Sequence, residues 1–213
     1  LWNGYVTDEG RWTAHARAMA LFGDMDSVGW PLHLALAPLY QLASYGFFAA
    51  LDVSLWSSRL VSAVCGSALL LTFWAAFRRL ATPEALLLAL VMLAFEPDLV
   101  VLSRIAVPEM AAMSLSLLAY VLLVAEGAGG ARLAAAGVIT AAAIGMKVTA
   151  LLVAPIFAVI LLLRPPASAD GRSRGAALAA YAAGLLLPVA LAGLGVLTRW
   201  PDAGAGIRRT VDT

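Results

Sequence analysis

The chain has 213 residues, of which 62% are hydrophobic and only 13% charged, and its mean hydropathy is +0.91. Soluble domains carry about 25% charged residues, so this composition excludes an ordinary water-soluble domain and points to a membrane protein. The net charge of +1 balances 14 basic against 13 acidic residues, and the arginines form no run or stripe, so nothing supports a nucleic-acid partner.

The first 20 residues lack the basic head and apolar core of a signal peptide, and the chain starts at Leu1, so an upstream segment is expected. Residues 7–21 read as a helix that Thr7 can cap, with Asp8, Arg11 and His15 on one face by their three-and-four spacing. A carboxylate among basic groups can act as a general base or hold a cation. An acidic first turn of an interfacial helix would show the same pattern. Asp24 and Asp26 beside Gly23 could offer oxygen ligands to a divalent cation, although this spacing is the common signature of a turn.

Residues 31–50 have the length of a span and no acidic residue, Lys or Arg, but contain His33, Pro38, Gln41, Ser44, Tyr45 and Gly46. They fit either a span or helices lying on the membrane surface. Trp2, Tyr5, Trp12, Trp30, Tyr40, Tyr45 and Trp56 all precede the first clean apolar run, and Trp and Tyr favour the interface, so the surface layer is preferred. Asp52 and Arg59 miss a helical pairing by one position, and Arg59 can anchor the span it opens.

Six runs then have the length and apolarity of transmembrane helices: 60–77, 85–102, 107–125, 133–146, 148–163 and 176–198. They are long, continuous and rich in Ala and Leu, which favours helices over the short alternating strands of a barrel. The expected fold is all-α, a polytopic transmembrane bundle with interfacial helices in its first outer loop. Its parts are an outer loop over 1–58, a bundle of about six helices over 59–198 and an outer tail over 199–213. Cys65, the single cysteine, lies within an apolar run and can form neither an intrachain disulfide nor a cysteine metal site. Arg78, Arg79, Arg132, Arg164, Arg172 and Arg174 fall in loops on one side, against Arg59, Arg104, Lys147 and Arg199 on the other. Six against four leans toward the first side being cytoplasmic, which puts the polar first segment outside.

Two further features bear on chemistry. Glu96, Asp98, Arg104 and Glu109 crowd 14 residues between two apolar runs, bracketed by Pro97 and Pro108. A charge at mid-membrane costs roughly 2.5–3.5 kcal/mol, so these should face water, one another or a charged ligand. Lys147 is the only lysine and interrupts an apolar stretch too long for one helix. A turn at 145–147 resolves that stretch into two helices and carries Lys147 to the interface, where it could meet a lipid phosphate or simply snorkel to water.

The order of these motifs resembles a known family. Asp8-Glu9-Gly10 precedes an Ala-rich helix. Pro38-Leu39-Tyr40, Arg59-Leu60-Val61-Ser62-Ala63, Ser103 to Met110 and Gly145-Met146-Lys147-Val148-Thr149-Ala150 follow around the spans. This resembles the multispanning GT-C glycosyltransferases of the protein O-mannosyltransferase and lipid A aminoarabinose transferase type. The resemblance implies a polyprenyl-phosphate-linked sugar as donor and a protein, lipid or glycan acceptor. It implies Asp8, with its neighbour Glu9, as the catalytic acids. Arg104, Glu109, Lys147 and Arg59 would face the donor and its phosphate, with no certain cofactor beyond a possible divalent cation. It further implies residence in a bacterial cytoplasmic membrane with the site on the outer face. Ala37 stands where a His-Pro-Pro-Leu-Tyr element would have proline, and His33 is the nearest histidine. Members of this type are longer, so both ends are expected to be missing here. A transporter would need its charges near mid-membrane, and a non-catalytic scaffold would lack a cavity joining Asp8, Arg104 and Lys147.

Overall fold

The computed structural model describes residues 7–24, 31–125, 127–163 and 173–199. Every regular element among them is a helix; no strand occurs among the described residues. Residues 200–213 of the expected tail over 199–213, and Asp26, lie outside the described residues.

The expected helix over 7–21 is two, α1 (Thr7–Trp12) and α2 (Ala14–Phe22). The reason is a side chain from another element. The Gln41 amide donates to the Trp12 carbonyl at 2.7 Å and accepts from the Ala16 N–H at 3.0 Å. Those two backbone groups would otherwise bond each other, and a side chain inserted into the ladder breaks the helix there. Residues 31–50 likewise form two helices, α3 (Pro31–Leu36) and α4 (Pro38–Leu51), divided at Ala37. Neither reaches the roughly 20 residues a span needs. The buried face of α4 carries Tyr40, Gln41, Ser44 and Phe48.

Next comes α5 (Leu55–Phe77), which starts earlier than its apolar run because Ser54 and Ser57 form a reciprocal cap on its first turn. It ends at Arg78, whose guanidinium lies 4.8 Å over the Trp74 ring. The chain returns through α6 (Pro83–Ala94) and α7 (Pro97–Arg104), bent by 56° from each other. Pro97 cannot continue the preceding helix, and the Glu96 carboxylate caps the new one by accepting from the Leu99 N–H at 2.7 Å. Glu96 and Asp98 therefore belong to a break part-way along this return, beside Leu69 and Leu70 of α5, and not to the end loop, which shrinks to residues 105–108.

The remainder is α8 (Glu109–Val124), α9 (Gly130–Met146), a 3-10 turn (Val148–Leu152), α10 (Val153–Leu163) and α11 (Arg174–Arg199). The break at Lys147 falls where the lone lysine predicts it. One core joins Ala119 and Leu123 of α8, Leu133 and Ala136 of α9, Phe157 and Leu161 of α10, and Tyr181 of α11. These helices therefore alternate in direction. The interface of α9 with α11 is closed by glycine: a Cβ on Gly184 would run into the Ala134 carbonyl, and one on Gly137 would meet the Leu185 nitrogen at 2.6 Å. Among the described residues two helices, α5 and α11, are long and apolar enough to cross a membrane, or three spans if α6 and α7 count as one. The other apolar helices are shorter, at 16 residues for α8 and 17 for α9. Of the six spans expected, two or three therefore have the length of a crossing among the described residues; Glu96 caps a new helix inside the 85–102 run, and the turn at Lys147 leaves short helices on either side. The alternation nevertheless leaves Arg59, residues 104–109 and Lys147 at one end, and Arg78, Arg79, Arg132 and Arg174 at the other.

Candidate functional site

Two acid–base pairs meet at the end of the bundle where α1 docks. In the first, Glu9 is fully buried. Its carboxylate accepts from Arg59 Nε at 2.8 Å and Nη2 at 2.9 Å, the bidentate fork that guanidinium geometry favours. Glu9 Oε1 also accepts from the Ala106 N–H at 2.7 Å. One carboxylate thus ties α1 to the start of α5 and to the 105–108 loop. Ser62 reinforces that junction, donating to the Val107 carbonyl at 2.9 Å and accepting from its N–H at 3.3 Å. A buried carboxylate holding three donors is a poor general base, since protonation would cost those bonds.

The second pair is Lys147 with Glu109, the Nζ donating to Oε1. Glu109 is the first residue of α8, and Lys147 caps the end of α9, its N–H bonded to the Ala143 carbonyl at 3.0 Å. Both side chains keep contact with solvent, at 21% exposure for Lys147 and 31% for Glu109. Lys147 Nζ lies 5.6 Å from the Trp12 ring centre, a cation–π distance. Trp12 in turn meets His33 edge to face at 4.9 Å. The broken α1–α2 helix therefore delivers an aromatic wall to the ammonium.

Tyr40, fully buried, lies in the apolar cluster with Val61 and Ala111 that Trp12 and Met146 pack against. Burial raises its phenol pKa above the ordinary value of 10.0, while the Ser62 and Ser44 hydroxyls beside it pull the other way and the charges of Glu109 and Glu9 add to the rise. The phenol is therefore a neutral donor. Its oxygen, Ser44 Oγ and Glu109 Oε2 are buried with no well-formed hydrogen bond among the described residues. Three such atoms around one junction have unused hydrogen-bonding capacity for water or a ligand.

The structure thus brings Glu9, Arg59, Glu109 and Lys147 to one end, in two pairs. Asp8 sits on α1 beside Glu9, but its side chain lies outside the described residues. Arg104 does not join either pair. It is exposed at the end of α7 and lines a separate cleft with Ser103 and Met110. Asp24 is not accompanied by Asp26 among the described residues, and no three His, Cys, Asp or Glu side chains gather into a metal-binding cluster among them. Sequence reasoning missed Gln41 and Tyr40 as parts of the site. The signal for Gln41 was its polarity in an otherwise apolar stretch, and Tyr40 stood in the Pro38-Leu39-Tyr40 element.

Among the described residues, half-buried charges and buried polar atoms without a hydrogen bond thus gather at one end of a helical bundle that carries membrane-length apolar helices. The model of the dolichyl-phosphate-mannose-protein mannosyltransferase family matches residues 36–192, and the chain belongs to that family. It is thereby a glycosyltransferase of the GT-C-like superfamily. No curated protein and no solved structure matches the chain.

Proposed function

We propose that this chain transfers a sugar from a polyprenyl-phosphate donor to a hydroxyl or amine of a protein, lipid or glycan acceptor, at the end of the bundle where α1 docks. The observation that carries this reading is the Glu109–Lys147 pair: partly open to solvent, faced by Trp12, and with Glu109 Oε2 unsatisfied. The acceptor oxygen or nitrogen attacks the anomeric carbon, and the bond from that carbon to the phosphate oxygen breaks. The electron pair leaves with polyprenyl phosphate, and the acceptor proton passes to a carboxylate. Lys147 stabilises the charge growing on the leaving phosphate. Asp8 orients the acceptor and takes its proton, while Glu9 and Arg59 hold α1 in place for it. Glu109 keeps Lys147 aimed and offers Oε2 to a sugar or acceptor hydroxyl. Both members of the pair sit at helix ends, which favours an interfacial site over a path through mid-membrane. The charge bias of the two ends supports a site on the outer face.

The test is a titration of the purified chain with a polyprenyl-phosphate mannose in mixed micelles. Lys147→Ala is expected to weaken binding at least tenfold without loss of helix content. Equal binding by wild type and variant would remove Lys147, and with it this reading, from the donor site.

A further inference from the structure

The seam between α5 and the bent α6–α7 pair is open. A cleft of about 270 Å³ there is walled by Gly66, Leu70, Leu93, Val100 and Met110, with Ser103 and Arg104 at its end nearest the bundle's charged end. It exists because α6 and α7 scarcely pack down: Leu86 is the one residue of α6 buried, and none of α7 is. Leu87, Leu88, Val91, Met92 and Val101 are exposed on the same two helices, and Phe95 is exposed between them. Such a surface needs an apolar solvent. Arg104 is exposed, with no ion pair or hydrogen bond among the described residues. The nearest acids are accounted for: Glu109 is held by Lys147, and Asp98 stands at the far end of α7. An arginine at the head of a greasy cleft, near the interface and lacking an acid, is complementary to an anionic head carrying a long chain.

The cleft is separate from the proposed donor site. Glu109 and Met110 are neighbours on α8, yet Glu109 meets Lys147 whereas Met110 lines the cleft. The first turn of α8 therefore stands between the two places. No residue of the Trp12, Tyr40, Glu109 and Lys147 site lines the cleft. A single phosphate bound at Lys147 leaves Arg104 for another.

We propose that the α5–α7 cleft seats an acyl chain of an anionic bilayer phospholipid, whose phosphate pairs with Arg104. The lipid fills the gap that the 56° bend opens and stiffens the α6–α7 pair against α5. The experiment uses the whole chain in nanodiscs of phosphatidylcholine doped with phosphatidylglycerol, followed by native mass spectrometry of the detergent-released protein. Wild type is expected to retain one phosphatidylglycerol, and its Tm to rise with the phosphatidylglycerol fraction. Arg104→Gln should lower that retention at least fivefold, and Ala94→Phe, which fills the cleft but keeps the arginine, should lower it similarly. Lys147→Ala should leave it unchanged, which separates this site from the donor site. Equal retention by wild type and Arg104→Gln would overturn the proposal. So would equal retention of phosphatidylcholine, or mole-for-mole displacement of phosphatidylglycerol by polyprenyl phosphate.

Discussion

Glu9–Arg59 and Glu109–Lys147 lie at the same end of the bundle and consist of the same chemistry, one carboxylate and one cation, yet their surroundings give them different work. Glu9 has no exposed surface and spends both oxygens on Arg59 and Ala106. Glu109 keeps nearly a third of its side chain exposed and leaves one oxygen without a partner. The first pair is a latch that fixes where α1 sits. The second has capacity left for a ligand. Burial and saturation, more than residue type, separate structure from chemistry here.

The contrast can be broken from either side. The largest effect is expected from Glu9→Gln, which leaves the Arg59 charge without its counter-ion. Breaking a buried pair costs about 3–5 kcal/mol, and Arg59, at 28% exposure, puts the loss near the low end, about 3 kcal/mol. Thermal unfolding in detergent should show it, with α1 detaching first. An unchanged Tm would mean that the latch does not hold α1. Gln41→Leu should follow, at about 1 kcal/mol, because the Trp12 carbonyl and Ala16 N–H can then recover only the one bond to each other in place of the two to the amide. Because Trp12 faces Lys147, that variant should also weaken donor binding, measured by the same titration.

Lys147→Ala should alter stability by less than about 1 kcal/mol, as a partly exposed pair does, while donor affinity falls at least tenfold. A large Tm drop with unchanged affinity would invert the assignment of the two pairs. Asp8→Asn is expected to leave Tm unchanged and abolish transfer in a complete enzyme; turnover at the wild-type rate would exclude Asp8 as the base.

The smallest effect is expected from Tyr40→Phe, since its hydroxyl makes no well-formed bond. The pH dependence sharpens it. Burial raises the folded pKa of Tyr40 above the unfolded value of 10.0, so the folded state holds the proton more tightly. The stability linked to this shift is complete below about pH 10 and is lost as pH rises beyond it toward the folded value. Tyr40→Phe should flatten that part of an alkaline Tm series, and an identical slope in both proteins would place the loss elsewhere.

Much of this was legible in the residues alone. Length and apolarity called for helices, Arg78-Arg79 and Lys147 marked where two of them stop, and the only lysine in a greasy stretch stood out as a charge with a purpose. Which acid of Asp8-Glu9 binds Arg59 was not legible. Adjacent acids look alike until one is found 50 positions away from the arginine that saturates it. The break in the first helix was equally hidden, because its cause, Gln41, lies in another element.

Composition and local pattern by themselves determined that the chain is helical, that it belongs with lipid, and roughly where its turns fall, because those depend on how each short segment meets water, lipid and its own backbone. Which carboxylate is consumed as a latch, which remains available, and which arginine stands apart at a lipid-facing cleft were decided only when helices distant in sequence packed together. Desolvation and hydrogen-bond saturation are properties of that packing, and they change what a side chain can do.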